Sequence, residues 1–178
     1  MPVEAAVLER AASPVDEGAP RRILFVCTGN TCRSPMAAAL LCELSRPREI
    51  CSLGDIAPRP LYVAESAGLH AAEGAPISEN AALALQRAGV RPLPPADYTA
   101  HRARTVTAEM LERADEVVGL TAAHAMELLF RFPEQAQKIR TLHTDISDPY
   151  GGDLARYERC LAELKACLET TYFAGGAK

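Results

Sequence analysis

Ile23-Leu24-Phe25-Val26-Cys27 runs without a polar break straight into Thr28-Gly29-Asn30. A run this short and this apolar fits a strand buried on both faces, as in a parallel sheet covered by helices on each side. Gly29 and Asn30 supply turn chemistry. Ser34-Pro35 then opens a helix through Met36-Ala37-Ala38-Ala39-Leu40-Leu41, with proline where an early helical turn tolerates it. A strand that hands over to a helix through a tight turn is the unit of an open α/β sheet. It places the turn at the carboxyl end of a strand, where such sheets bind ligands.

The rest of the chain repeats this alternation. Residues 61–66 read as a second strand stopped by Gly68, and residues 79–88 as a helix closed by Gly89. A short helix is expected over 107–113, a third strand over 114–120, a helix from Ala122, and a fourth strand over 138–142. Residues 153–170 form a long helix whose Leu154, Tyr157, Leu161, Leu164 and Leu168 share one apolar face. The expectation is therefore an α/β chain with βαβ units and a parallel sheet. Residues 1–21 mix Ala, Pro, Gly and acidic side chains and read as a flexible tail before one domain over 22–174. The segment 45–60 reads as a loop.

Composition removes several classes of function. Apolar residues make up 48 % of the chain, enough for a sizeable core, and the net charge is only -4 with Lys and Arg dispersed. Nucleic-acid backbones require a basic stripe, so no nucleic acid is expected as partner. No stretch approaches the roughly 18 apolar residues of a membrane span, and the acidic first twenty residues do not read as a signal peptide. Cys27, Cys32, Cys42, Cys51, Cys160 and Cys167 lack the paired spacing of a zinc site. These cysteines fit the reducing cytoplasm, where a special cysteine more often serves catalysis than structure.

Cys27-Thr28-Gly29-Asn30-Thr31-Cys32-Arg33-Ser34 has the makings of an oxyanion site. Successive backbone N–H groups of such a turn can converge on three phosphate oxygens, helped by the positive end of the following helix. The Arg33 guanidinium adds a planar fork of donors. The same donors favour a thiolate at Cys27, a nucleophile to which Ser34 can donate its hydroxyl. A buried cysteine can equally be a small packing residue, and the spacing to arginine alone does not separate the two readings.

The run Val26-Cys27-Thr28-Gly29-Asn30-Thr31-Cys32-Arg33-Ser34-Pro35-Met36-Ala37 resembles the signature loop of the low-molecular-weight protein phosphatases. The resemblance extends over residues 22–171. It implies a three-layer α/β/α fold with a central four-stranded parallel sheet of flavodoxin-like type. Cys27 is then the nucleophile, Arg33 the phosphate-binding arginine, and the backbone from Thr28 to Arg33 the cradle. Asp148-Pro149-Tyr150-Gly151-Gly152 is similar to the family's acid loop, which makes Asp148 the general acid and Tyr150 one wall of the substrate cleft. Asp145 is the competing carboxylate. Ser66 and His101 stand where the family has a serine and a histidine that hold the loop asparagine, here Asn30, by hydrogen bonds donated to it. His70, His124 and His143 are read as surface residues. A reversible Cys27–Cys32 disulfide that protects the nucleophile is likewise implied by the resemblance. Where many members carry glutamate after Met-Ala, this chain has Ala38.

Thr31 bears on the substrate. The residue before the second cysteine is usually isoleucine in the family's tyrosine phosphatases and threonine in its protein-arginine phosphatases. A smaller, polar side chain leaves room for a guanidinium plane and offers it an oxygen. The favoured substrate is thus a protein carrying phosphoarginine, with phosphotyrosine as the alternative. No metal or other cofactor is expected, because the fixed donors and Arg33 supply the positive charge. The number of chains in the assembly is left open. Two other classes remain as rivals: a thiol-coupled arsenate reductase, which needs further relay cysteines, and a non-catalytic phosphate-binding module, which needs neither nucleophile nor acid.

Overall fold

The computed structural model describes residues 19–46 and 60–174. The expected tail up to residue 18, most of the 45–60 loop and Cys51 lie outside the described residues. In chain order the elements are β1 (Arg21–Cys27), α1 (Arg33–Leu44), β2 (Tyr62–Gly68), α2 (Glu79–Arg87), α3 (Ala108–Arg113), β3 (Glu116–Gly119), α4 (Ala122–Arg131), β4 (Ile139–Thr141) and α5 (Leu154–Leu168). The strands form one sheet in the order β2-β1-β3-β4, and every neighbouring pair is parallel.

Side chains of β1 alternate between two cores, as the period of a strand requires. Ile23 and Phe25 pack with α1, α2 and α5, while Leu24 and Val26 pack with α3 and α4. The sheet is thus the middle of three layers, and β1 is buried on both faces. Truncating Phe25, which is fully buried, to alanine would cost about 3–5 kcal/mol. Helix α1 lies inside rather than on the surface: Arg33 through Cys42 are all buried, Ala38 among them. Its even apolarity around the axis reflects that position.

Several boundaries differ from the sequence reading. Strand β1 already begins at Arg21, whose N–H donates to the Leu61 carbonyl at 3.0 Å. Strand β3 begins at Glu116 rather than Ala114, because the Ala114 N–H turns back to close α3 on the carbonyls of Met110 and Leu111. Strand β4 is reduced to three residues by a 3₁₀ turn, Pro133–Lys138, that runs into it. Helix α5 stops at Leu168 and continues as a π-turn, Glu169–Phe173, whose Tyr172 and Phe173 rings pack edge-on against Tyr62. The buried face of α5 holds Cys160 and Cys167 beside the expected Tyr157, Leu161, Leu164 and Leu168, and Leu154 is only half-buried. Among the described residues no helix is long and apolar enough to cross a membrane.

Candidate active site

The turn from β1 to α1 hangs on its carbonyls. Those of Cys27 and Thr28 accept from the N–H groups of Leu69 and His70 at 2.8 and 2.9 Å. The Thr31 carbonyl accepts from Ser78 N–H at 2.8 Å, and the Cys32 carbonyl from Met36 N–H at 3.2 Å. His101 Nε2 donates to the Asn30 carbonyl at 2.7 Å. In a trans peptide the N–H points away from the carbonyl of the same plane. With the carbonyls drawn outward, the N–H groups that follow them face the other way, and among the described residues those of Thr28 to Arg33 donate to no protein group. The result is a nest of free donors, suited to an anion.

Asn30 is the pivot of the turn. Its φ of 57° lies in the left-handed region, which asparagine tolerates better than most residues. The side chain is fully buried and its polar atoms are all engaged. Nδ2 donates to Ser34 Oγ and to Ser66 Oγ, both at 2.9 Å, and Oδ1 accepts from the Arg104 N–H at 3.0 Å. Two details differ from the arrangement implied by the resemblance. Ser66, inside β2, accepts from the asparagine rather than donating to it, because the amide nitrogen has two protons to place. His101 grips the main chain of Asn30 and leaves its side-chain oxygen to Arg104, which the sequence reading did not single out. The Arg104 side chain also ties the strand end, with Nε donating to the Ser66 carbonyl at 3.0 Å. Burial lowers the pKa of His101 below its ordinary value.

Gly68 explains how closely β2 approaches this loop. A Cβ there would lie 2.7 Å from the Thr28 carbonyl oxygen and 3.0 Å from the Asn30 nitrogen. Only glycine fits without moving the cradle.

Cys27, at the end of β1, is buried with its Sγ 3.0 Å from Ser34 Oγ. Arg33, the first residue of α1, is also buried, and its guanidinium reaches across to the loop after β4. Nη1 donates to the Ile146 carbonyl at 3.4 Å and Nη2 meets Asp148 Oδ2 at 3.2 Å. Asp148 presents its carboxylate to solvent, with the side chain 54 % exposed. Its Oδ1 accepts from Tyr150 N–H at 3.2 Å, and its carbonyl accepts from Arg156 of α5 at 2.8 Å. Glu163, also on α5, holds Ser147 through both main chain and hydroxyl. Asp145 is turned elsewhere: its Oδ1 accepts the Ala122 N–H at 2.8 Å, at the start of α4. That contact takes the competing carboxylate away from Cys27.

Cys27, Thr28, Gly29, Thr31, Cys32, Arg33, Asp148 and Tyr150 line one open cleft of about 450 Å³, together with His70. Tyr150 stands at its mouth, 74 % exposed. Asn30, Ser34, Ser66 and His101 sit behind the loop and hold it. Behind Cys32, the Tyr157 hydroxyl accepts from Ser78 at 3.0 Å and lies 3.4 Å from the cysteine sulfur. Burial and the Cys32 contact push the Tyr157 pKa up to about 12. Cys160 donates to the Ser147 carbonyl, and burial pushes its thiol up to about 12. Among the described residues all the cysteines are free thiols, and no cluster of three or more His, Cys, Asp or Glu is placed to hold a metal.

The reading of His124 as a surface residue is corrected by the structure. It is 6 % exposed, its ring lies between Thr121 and Thr28, and burial followed by the nearby Arg33 charge lowers its pKa. The sequence did hold a signal: Thr121 and His124 have the spacing of a helix N-cap and its third residue. His143 is exposed. His70 is also largely exposed, but it lines the cleft and its Nε2 lies 2.9 Å from Glu127 Oε1.

Comparison with known proteins is consistent across sequence and structure. A family model described as low molecular weight phosphotyrosine protein phosphatase matches residues 22–173. A protein-arginine-phosphatase of Geobacillus stearothermophilus is 36 % identical over 157 residues, which cover 84 % of this chain and 93 % of the relative. A low molecular weight protein-tyrosine-phosphatase of Streptomyces coelicolor is 35 % identical over 161 residues, covering 82 % and 87 %. Among solved structures, the YwlE arginine phosphatase from Geobacillus stearothermophilus superposes with a TM-score of 0.69 at 36 % identity, covering 84 % of this chain and 89 % of that one. A low molecular weight protein tyrosine phosphatase from T. tengcongensis gives a TM-score of 0.70, also at 36 % identity, covering 84 % and 95 %.

Proposed function

Given that the chain belongs to the low molecular weight phosphotyrosine protein phosphatase family and is a phosphatase, we propose that it removes phosphate from arginine side chains of proteins through a phosphocysteine on Cys27. The observation that carries the mechanism is one juxtaposition. Cys27 lies at the floor of a carbonyl-out loop, and Arg33 of that loop meets Asp148 from the far side of the cleft.

The bound phosphoryl group lies against the free N–H groups of the loop and the Arg33 guanidinium, which balance its negative charge. The Cys27 thiolate attacks phosphorus, an S–P bond forms, and the P–N bond to the substrate guanidine breaks. Asp148 gives its proton to the departing nitrogen. In the second step the Asp148 carboxylate takes a proton from water as that water attacks phosphorus. The S–P bond then breaks, and the sulfur leaves as a thiolate that the Ser34 hydroxyl stabilises. Fixed donors do the work that a metal ion does in other phosphatases.

Support for phosphoarginine comes from Thr31, whose small polar side chain lines the cleft beside Cys32 and leaves space and an oxygen for a guanidinium. The relative named as an arginine phosphatase points the same way. Tyr150 favours the second reading, phosphotyrosine, because an exposed ring at the cleft mouth can stack on an aryl group. The same proposal places the enzyme in a reducing compartment such as the cytoplasm, with a reversible Cys27–Cys32 disulfide formed on oxidation. Peroxide inactivation that dithiothreitol reverses in wild type but not in Cys32→Ala would support that extension.

Competition decides the substrate. A phosphoarginine protein and a phosphotyrosine peptide are offered at equal concentration to wild type and Thr31→Ile, with Cys27→Ala as the blank. The proposal expects a kcat/KM preference for phosphoarginine that Thr31→Ile erodes. A preference for phosphotyrosine that is indifferent to the substitution would assign the chain to the second reading.

A further inference from the structure

The reaction outlined above does not use His124, yet this buried ring ends on an exposed residue of the cradle. His124 is the third residue of α4, and its backbone N–H donates to Oγ1 of the capping Thr121 at 3.2 Å. The ring turns back so that Nδ1 lies 3.0 Å from the same hydroxyl, while Nε2 lies 3.0 Å from Oγ1 of Thr28. A threonine hydroxyl has one proton and two lone pairs. Thr121 Oγ1 already accepts the backbone N–H, and among the described residues its proton has no acceptor other than Nδ1. The arrangement that gives the Thr121 proton an acceptor within the protein puts the ring proton on Nε2, from which it is donated to Thr28. With one lone pair held by the ring, Thr28 keeps its own proton for a different acceptor. Thr28 lines the cleft with Cys27 and Arg33. Burial and Arg33 favour the neutral imidazole, the form that offers one donor and one acceptor.

We propose that His124 is a positioning residue that fixes the Thr28 hydroxyl as an additional oxyanion donor of the phosphate cradle, beside the loop N–H groups and Arg33. The inference rests on the phosphatase reading of that cradle, and it adds a side-chain donor aimed from α4. A tie that only anchored α4 to the loop would leave phosphate affinity indifferent to the hydroxyl proton.

The test is the affinity of the full-length protein for inorganic phosphate, measured by calorimetry. Wild type is compared with Thr28→Val, Thr28→Ser, His124→Leu, His124→Gln and the double variant Thr28→Val/His124→Leu. Affinity is expected to fall about tenfold in Thr28→Val and in His124→Leu, the scale of one hydrogen bond to a charged group. The double variant should lose no more than either single one, because both remove the same donor. Thr28→Ser keeps the hydroxyl and should stay near wild type. His124→Gln, whose amide can donate to the same oxygen, should recover part of the loss. Wild-type affinity in Thr28→Val, or additive losses in the double variant, would overturn the proposal. Thr28→Val, at an exposed position, decides whether the hydroxyl donates even if His124→Leu does not fold, and an affinity that His124→Gln leaves at the wild-type value would then overturn the role of the ring. Phosphate binding with the expected ratios but no Cys27-dependent turnover would instead overturn the phosphatase reading. Turnover with an unchanged Thr28→Val affinity would overturn only the role of His124.

Discussion

The Ser34 hydroxyl lies between two acceptors, Cys27 Sγ at 3.0 Å and the Ala67 carbonyl at 3.2 Å, while Asn30 Nδ2 donates to its oxygen at 2.9 Å. One proton cannot serve both acceptors. It turns to the sulfur when the sulfur is anionic and to Ala67 when the thiol carries its own proton. In the proposed mechanism the hydroxyl is thus placed to stabilise the thiolate that leaves in the second step. Ser34→Ala should lower kcat by about 10- to 100-fold. Rapid-quench kinetics should then show a burst of the first product before slow turnover, because breakdown of the phosphocysteine becomes limiting. Equal slowing without a burst would place Ser34 in the first step instead.

Asp148 meets Arg33 and the Tyr150 N–H but keeps half of its side chain open to solvent, as suits the proton exchange proposed for it. Asp148→Asn preserves the shape and removes the proton. A fall in kcat of about 10²- to 10⁴-fold is expected, with KM little changed. The first step should suffer less with a nitrophenyl phosphate, whose leaving group needs no proton, and comparison of burst rates for the two substrates checks this.

Gly68 is the point where β2 meets the cradle. A Cβ 2.7 Å from the Thr28 oxygen can be relieved only by moving backbone. Gly68→Ala should cost about 1–3 kcal/mol of stability, as overpacking does, and should weaken phosphate binding in the same protein. Urea unfolding and phosphate titration measure the two effects side by side.

His124 is buried and His101 partly so, and removal from water lowers the pKa of each in the folded state. The unfolded chain therefore binds more protons than the folded one as pH falls below the ordinary histidine range. Stability is fully present above that range and declines as pH falls toward the lowered folded-state values. Between about pH 7 and 5.5 carboxylates contribute little, so the slope there belongs to histidine. Urea unfolding of wild type should show stability falling across that window. His101→Gln, which keeps a donor toward the Asn30 carbonyl, should flatten the slope. An unchanged slope would contradict the assignment.

Much of this site is legible in the chain because its elements are local. The run Ile23–Cys27 announces a two-face strand, and Gly29-Asn30 followed by Ser34-Pro35 announces the turn and helix, all within about a dozen residues. The four strands and the helices between them follow the same alternation. The groups that aim the site are not local. Arg104 reaches Asn30 across 74 positions, Arg156 and Glu163 hold the Asp148 loop from the next helix, and His124 meets Thr28 across 96 positions. No periodicity announces such contacts. On α4, the His124 ring is one more polar group in an amphipathic helix until the sheet brings Thr28 alongside it. Strand ends are misjudged for a similar reason: Ala114 has the apolar character of a strand residue, but its N–H is required to close α3.

Covalent chemistry at Cys27 separates this mechanism from direct attack by water on the substrate, and a trapped intermediate distinguishes the two. The enzyme is mixed with a phosphoarginine substrate, quenched in milliseconds, and its peptides are analysed by mass spectrometry under conditions that preserve S–P bonds. A phosphoryl group on Cys27 is expected to form and decay at rates compatible with turnover, with neither label nor turnover in Cys27→Ala. Turnover that survives Cys27→Ala, or steady hydrolysis with no phosphoryl group ever on that sulfur, would contradict it.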